Sequence, residues 1–179
     1  RDSDFIIKSF QGKIISARLH ELFCADIKKI DQPRILFIDG ILESLGEIDG
    51  LLQDLAENKS AACIFARGFS PDIVQTLFHN YKLGRLKVFP AVYPAVSCEE
   101  ILTFCLKNNI PCYEPKIKND IRKAGCKDMV EVEKIYFDES ACIISSKTGE
   151  NYQVEVSIPE RLSSVYGIIE DRIKFSSAI

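Results

Sequence analysis

The sequence predicts an α/β domain in which buried strands alternate with capped amphipathic helices and a β-rich tail follows. Three observations lead there. Ile35-Leu36-Phe37-Ile38 is a continuous apolar run of strand length. Ala61 to Ala66 is a second such run. Between and after them stand two helix starts, Ser44-Leu45-Gly46-Glu47 and Ser70-Pro71-Asp72.

In chain order, residues 4–19 hold the β-branched runs Phe5-Ile6-Ile7 and Ile14-Ile15, which read as extended structure turning at Gly12. Pro33 precedes the first buried strand, and Asp39-Gly40 turns the chain after it. The box at Ser44 and Glu47 opens a helix over 45–57, with Leu45, Ile48, Leu51, Leu52 and Leu55 at helical spacing. Ser70 as cap, Pro71 at the first helical position and Asp72 facing the dipole start the next helix. It carries Ile73, Val74, Leu77, Phe78 and Tyr81 and stops at Gly84.

Leu86 to Val92 reads as a strand at an edge or bulge, because Pro90 cannot donate to a ladder. Ser97-Cys98-Glu99-Glu100 has the form of another capping box, Asn108-Asn109 ends its helix, and Pro111 to Tyr113 is a short strand. Lys116 to Asp128 is charged and polar and reads as a surface loop or a frayed helical turn, with a solvated basic face. Val130 to Phe137, Ala141 to Ser145 and Tyr152 to Val156 read as a three-stranded meander, and Ser157 opens a closing amphipathic helix.

The bulk numbers exclude several function classes. The 179 residues are 46% hydrophobic and 27% charged, with a formal net charge of -3, so there is no overall basic footprint for nucleic acid. The apolar runs are too short to cross a bilayer and no signal-peptide pattern opens the chain. It starts at Arg1 rather than Met, as expected of a fragment of a longer protein. Seven cysteines without a C-x-x-C pair fit reduced cytosolic thiols better than a disulfide framework.

Candidate chemistry is sparse. His20 and Cys24 are spaced i, i+4 and could touch one metal, but two ligands do not make a site. No phosphate-cradling glycine motif occurs, and His79 has no positioned partner for nucleophilic catalysis. No catalytic residue is assigned, so a small-molecule enzyme of α/β type has no constellation to rest on. Binding leaves a better trace than catalysis: Val74, Phe78 and Tyr81 widen the apolar arc of helix 71–83 beyond one buried stripe. A simple wide buried stripe accounts for the same pattern and is slightly favoured by the sequence alone.

The stretch Pro33 to Pro94 resembles, without a gap, the middle of the apical domain of GroEL-type (group I) chaperonins. Its marks are the proline before a buried strand ending in Asp39, the strand 61–66, Thr76-Leu77 and Asn80 in the second helix, then Gly84 and Leu86-Lys87-Val88. Phe10, Gly12, Ser16 and Leu19 are similar to the family's N-terminal signature, with the glycine one residue early. The resemblance implies a single apical, substrate-binding domain over 1–179, with a β-sandwich-type core flanked by helices.

It further implies an apolar groove between the two helices that takes up unfolded or partly folded polypeptides and a co-chaperonin loop. Carried over position by position, the groove falls on Ile14, Arg18, Leu19, Leu52, Val74, Phe78 and His79. Asp49 stands where the family has a further apolar residue. Arg18, Asp49 and His79 depart from the family's apolar pattern, and its glycine-rich segment after Val92 is missing. They open the alternative of a paralogue that docks one specific partner. The resemblance also implies a cytoplasmic homo-oligomeric ring in full-length form and ATP with magnesium in another domain. The fragment itself is expected to be monomeric, without cofactor, metal or catalysis.

Overall fold

The computed structural model describes residues 12–115, 121–139 and 141–145. The strand Tyr152 to Val156 and the closing helix expected from the sequence lie outside them. The described chain is a mixed α/β fold. It begins with β1 (Gly12–Ile15), β2 (Arg18–Leu19), a single helical turn α1 (Glu21–Cys24), β3 (Lys29–Asp31), β4 (Arg34–Ile38) and β5 (Ile41–Leu42). There follow α2 (Asp49–Glu57), β6 (Ala62–Ala66), β7 (Gly68–Phe69), α3 (Pro71–Lys82), β8 (Val88–Val92), α4 (Cys98–Lys107) and β9 (Cys112–Tyr113). The last described strands are β10 (Val130–Glu131), β11 (Lys134–Phe137) and β12 (Cys142–Ser145).

Among the described residues, the main sheet runs β10-β4-β6-β8-β2, with β9 also pairing β4. The strands β4, β6, β8 and β9 are parallel, with Leu36 opposite Ile64 and Phe65 opposite Ala91. Right-handed crossovers put α2 and α3 on one face of this sheet and α4 on the other. A second, antiparallel sheet runs β1-β12-β11-β3. Apolar residues of both sheets, including Ile35, Phe65, Ile135 and Ile144, belong to one core.

The three longer helices, α2, α3 and α4, end alike. Lys59, Gly84 and Asn109 have φ of 52°, 70° and 54°. In each case the next N–H reaches back to the helix: Ser60 to the Leu55 carbonyl, Arg85 to Asn80, Ile110 to Cys105. This is the Schellman arrangement, which satisfies orphan carbonyls and reverses the chain into the next strand. Glycine signals it in the sequence only at residue 84.

Several expectations need correction. Gly12 is not a turn; it pairs with Ser145, and the bend falls at Ser16–Ala17, where Ala17 N–H reaches Ile15 O. The Ser44–Glu47 capping box forms, but it caps a short 3-10 turn, Leu45–Glu47, and α2 starts afterwards at Asp49. Ser97 makes no side-chain cap; Glu100 instead accepts from Ser16. Residues 130–137 do not form one strand: β10 pairs β4 in the main sheet, whereas β11 pairs β12 and β3.

Pro90 sits inside the sheet, not at its edge. The reason is visible in β2. His20 N–H donates to the Pro90 carbonyl, but Pro90 cannot return the bond. The His20 carbonyl is taken by Phe23 N–H at 2.9 Å and Cys24 Sγ at 3.5 Å instead. The ladder stops at Leu19 and the chain turns into α1.

Residues 121–128 take up the helical-turn alternative but are not a solvated face. They are two 3-10 turns, Ile121–Lys123 and Cys126–Asp128, with Ile121, Ala124 and Cys126 buried. This segment packs on α2. Cys126 N–H donates to Asp54 Oδ2 at 2.6 Å, and Arg34 Nη1 donates to the Cys126 carbonyl at 3.1 Å.

Candidate functional site

The expected groove lies where α2, α3 and the N-terminal strands meet their neighbours, and its residues separate by polarity. Ile14, Leu19 and Val74 are 4%, 1% and 2% exposed, so they are core side chains with no surface to offer. Leu52 is 9% exposed and belongs to the same core. Phe78 is half-buried. Arg18, Asp49 and His79 are exposed. An open apolar furrow along Leu52 and Val74 is therefore not what these residues make.

The local sequence explains the inward turn. Ser70 accepts from Ile73 N–H and Pro71 fixes the first helical position, which sets the rotation of α3. Ile73, Val74 and Leu77 then point into the core, and Pro71, Asp72, Gln75 and His79 point out. On α2, Leu51, Leu52 and Leu55 face inward, while Asp49, Gln53, Ala56 and Glu57 face water. A wide arc of apolar residues at helical spacing fits a deep core stripe as well as an exposed seam. Here the core takes it.

Phe78 is held by aromatic neighbours. Its ring meets Phe23 of α1 edge-on at 5.2 Å, and Phe23 also meets Phe89 at 5.8 Å. Tyr81 joins them 5.9 Å from Phe23 and 5.4 Å from Phe89. Edge-to-face pairs of this kind contribute about 0.5–1.5 kcal/mol beyond their buried area. Lys82 Nζ lies 5.2 Å from the Phe78 ring centroid and pairs with Asp26. A cation therefore covers the one ring of the expected groove that still reaches the surface.

His20 and Cys24 do not converge on a common ligand. His20 Nδ1 accepts the N–H of Leu22, and Cys24 Sγ donates to the carbonyls of Leu19 and His20. Burial pushes the His20 imidazole below its ordinary range, and nearby Arg18 adds to this while Glu21 opposes it. No group of three metal-ligating side chains occurs among the described residues. None of their helices is long and apolar enough to cross a membrane.

Sequence reasoning missed a second polar cluster, at the C-terminal ends of the parallel strands. Asp39 follows β4, Arg67 follows β6 and Tyr93 follows β8. Arg67 pairs with Asp39 and its Nη1 lies 3.4 Å from Cys98 Sγ at the start of α4. Tyr93 donates to the Ile38 carbonyl, and burial pushes its phenol well above the ordinary range. Pro115 lies over Gly40, where a Cβ would come within 2.8 Å of its ring. The order β9-β4-β6-β8 reverses direction between β4 and β9, the place where open parallel sheets form crevices. Residues separated by 28 or more positions meet there, and no local motif announces it.

No protein-family model matches the chain. No curated protein matches it either. Solved structures do match it. One is the open-state monomer of a group II chaperonin from Methanococcoides burtonii, with a TM-score of 0.50 over 92% of this chain and 9% identity. The chain spans 39% of that protein's length. At such identity the likeness concerns the fold alone, which is α/β and chaperonin apical-domain-like. The sequence pattern resembles group I and the solved neighbour is of group II, so the likeness stands at the level of the chaperonin fold.

Proposed function

We propose that this chain is the apical-type, partner-binding domain of a chaperonin-like ring protein, and that it docks one defined partner through polar contacts. The observation behind this is the inversion just described: Leu19, Leu52 and Val74 are core, while Arg18, Asp49 and His79 remain at the surface. Of the expected apolar contacts, Phe78 alone is partly open. Burying one such side chain is worth about 1.5–3 kcal/mol. Association costs about 4–15 kcal/mol. One ring cannot hold an unfolded client.

Charge can. Exposed polar groups steer and select a folded partner more than they add raw affinity, and their contribution falls with salt. In the full-length ring, ATP with magnesium and the seat of hydrolysis belong to a domain outside this fragment, and any co-chaperonin would be the first candidate partner. A homo-oligomeric ring in the cytoplasm and a single domain over 1–179 complete the proposal. On the branch, the spacing from Pro33 to Pro94 supports group I and the solved neighbour supports group II; the fold common to both underlies the reading.

General binding of unfolded chains is the second reading. It keeps one support: Leu22 on α1 and Leu83 at the end of α3 are 37% and 49% exposed, on the two elements joined by the Phe23–Phe78 contact. Titrating the assembled ring with a permanently unfolded, fluorescent polypeptide and with a candidate co-chaperonin, each over a salt series, separates the two. The proposal expects the folded partner alone to bind, losing affinity as salt rises and by about tenfold in Arg18→Glu or Asp49→Lys. Salt-insensitive binding of the unfolded chain, abolished by Phe78→Ser, would establish the second reading in its place.

A further inference from the structure

The reversal at the end of α4 brings two thiols together. Asn109 in the left-handed region and the Ile110 N–H bond to the Cys105 carbonyl, 2.9 Å, turn the chain back beside the helix. Two residues later Cys112 enters β9 opposite Phe37. Phe37 also receives Phe104 of α4, with ring centroids 5.9 Å apart, so α4 and β9 converge on the same strand. The side chains of Cys105 and Cys112 are hydrogen-bonded to each other.

We propose that Cys105 and Cys112 are a peroxide-responsive dithiol, with Cys112 as the attacking sulphur and Cys105 as the resolving one. Accessibility sets the order. Cys112 is half-buried and reachable, whereas Cys105 is 2% exposed. The electrostatics agree. The hydrogen bond from Cys105 pulls the Cys112 thiol below its ordinary range, with help from Arg67, against burial and the carboxylates of Asp39 and Glu114. The same contact and burial push Cys105 up. Thiolate character together with access is what makes a cysteine react.

The oxidant is hydrogen peroxide. The Cys112 thiolate attacks one peroxide oxygen, the O–O bond breaks, and the departing oxygen leaves as water after taking a proton; Cys112 becomes a sulfenic acid. The Cys105 sulphur then attacks the Cys112 sulphur. The S–S bond forms, the S–O bond breaks, and hydroxide leaves as water with the Cys105 proton. Two thiols and one peroxide give one disulfide and two waters. Among the other thiols, Cys63 also has a thiol neighbour, Cys142, but neither is accessible. Cys63 and Cys142 are buried and pushed up by desolvation, and Cys24 donates to backbone carbonyls.

The test is peptide mapping of the full chain after reduction, one equivalent of peroxide, alkylation and non-reducing tryptic digestion. The expected product links residues 88–107 to residues 108–116 through Cys105 and Cys112 and is reversed by dithiothreitol. Before oxidation, Cys112 is alkylated at least about tenfold faster than Cys63. In Cys105→Ser, peroxide leaves a sulfenic acid on Cys112 that dimedone traps. The proposal falls if Cys105 and Cys112 both remain alkylatable after peroxide, if Cys112 links to Cys98 instead, or if folded Cys105→Ser yields no dimedone adduct. Should that variant not fold, the mapped link in the unsubstituted chain decides alone.

Discussion

Helices α2 and α3 make successive crossovers of the same parallel sheet, yet they are held in different ways. α3 is specified locally: Ser70 caps it, Pro71 starts it and Gly84 ends it. α2 has Ile48 at its N-cap position, where no side chain caps it, and carries Gly50 within its first turn. Glycine there costs about 1 kcal/mol against alanine. What holds α2 is tertiary: the segment 121–128 packs on it, and Asp54 accepts the Cys126 N–H across 72 positions of sequence. The difference teaches that a helix can be plain in a sequence while its surroundings are not. Both helices nonetheless turn their apolar residues to the core and their polar ones to water.

The largest effect expected from that shared burial is in stability. Val74→Ser and Leu52→Ser each place a hydroxyl in the core and leave a void, and each should lower the unfolding free energy by about 2–4 kcal/mol. Urea denaturation measures this. A groove residue would show little change, so a loss below about 0.5 kcal/mol, typical of surface substitutions, would break the equivalence of the two helices.

A smaller effect sharpens the contrast between them. Asp54→Ala removes the acceptor from Cys126 N–H and should cost about 1–3 kcal/mol, with faster amide exchange in 121–128. Ser70→Ala removes only a cap and should cost about 1 kcal/mol, with exchange rising at the start of α3 alone. If Asp54→Ala leaves exchange in 121–128 unchanged, α2 is not anchored as described.

What the sequence made legible follows from range. β4, β6 and α3 were readable because contiguous apolar runs and a Ser-Pro-Asp start are local signals. The left-handed end at Lys59 was hidden because that residue is not glycine, whereas Asn108-Asn109 marked the end of α4. Pro90 read as an edge or bulge residue because the effect of its missing donor is offset only at a distance in sequence, where the His20 carbonyl is taken by Phe23 and Cys24 of α1. Lys116 to Asp128 read as solvated because its charges outnumber Ile121, Ala124 and Cys126, the residues that pack. The candidate groove was ambiguous for a deeper reason. Periodicity says that a helix has an apolar face and is silent on whether that face meets core or water.

The central claim is that the apolar side chains carried over as a groove are sealed. Hydroxyl-radical footprinting of the full chain reads side-chain exposure residue by residue. The account predicts that Leu19, Leu52 and Val74 are modified as slowly as Leu77, while Val96 and Leu106, 92% and 80% exposed, are modified readily. Leu52 and Val74 reacting as fast as Leu106 would contradict it and return the apolar grip to first place.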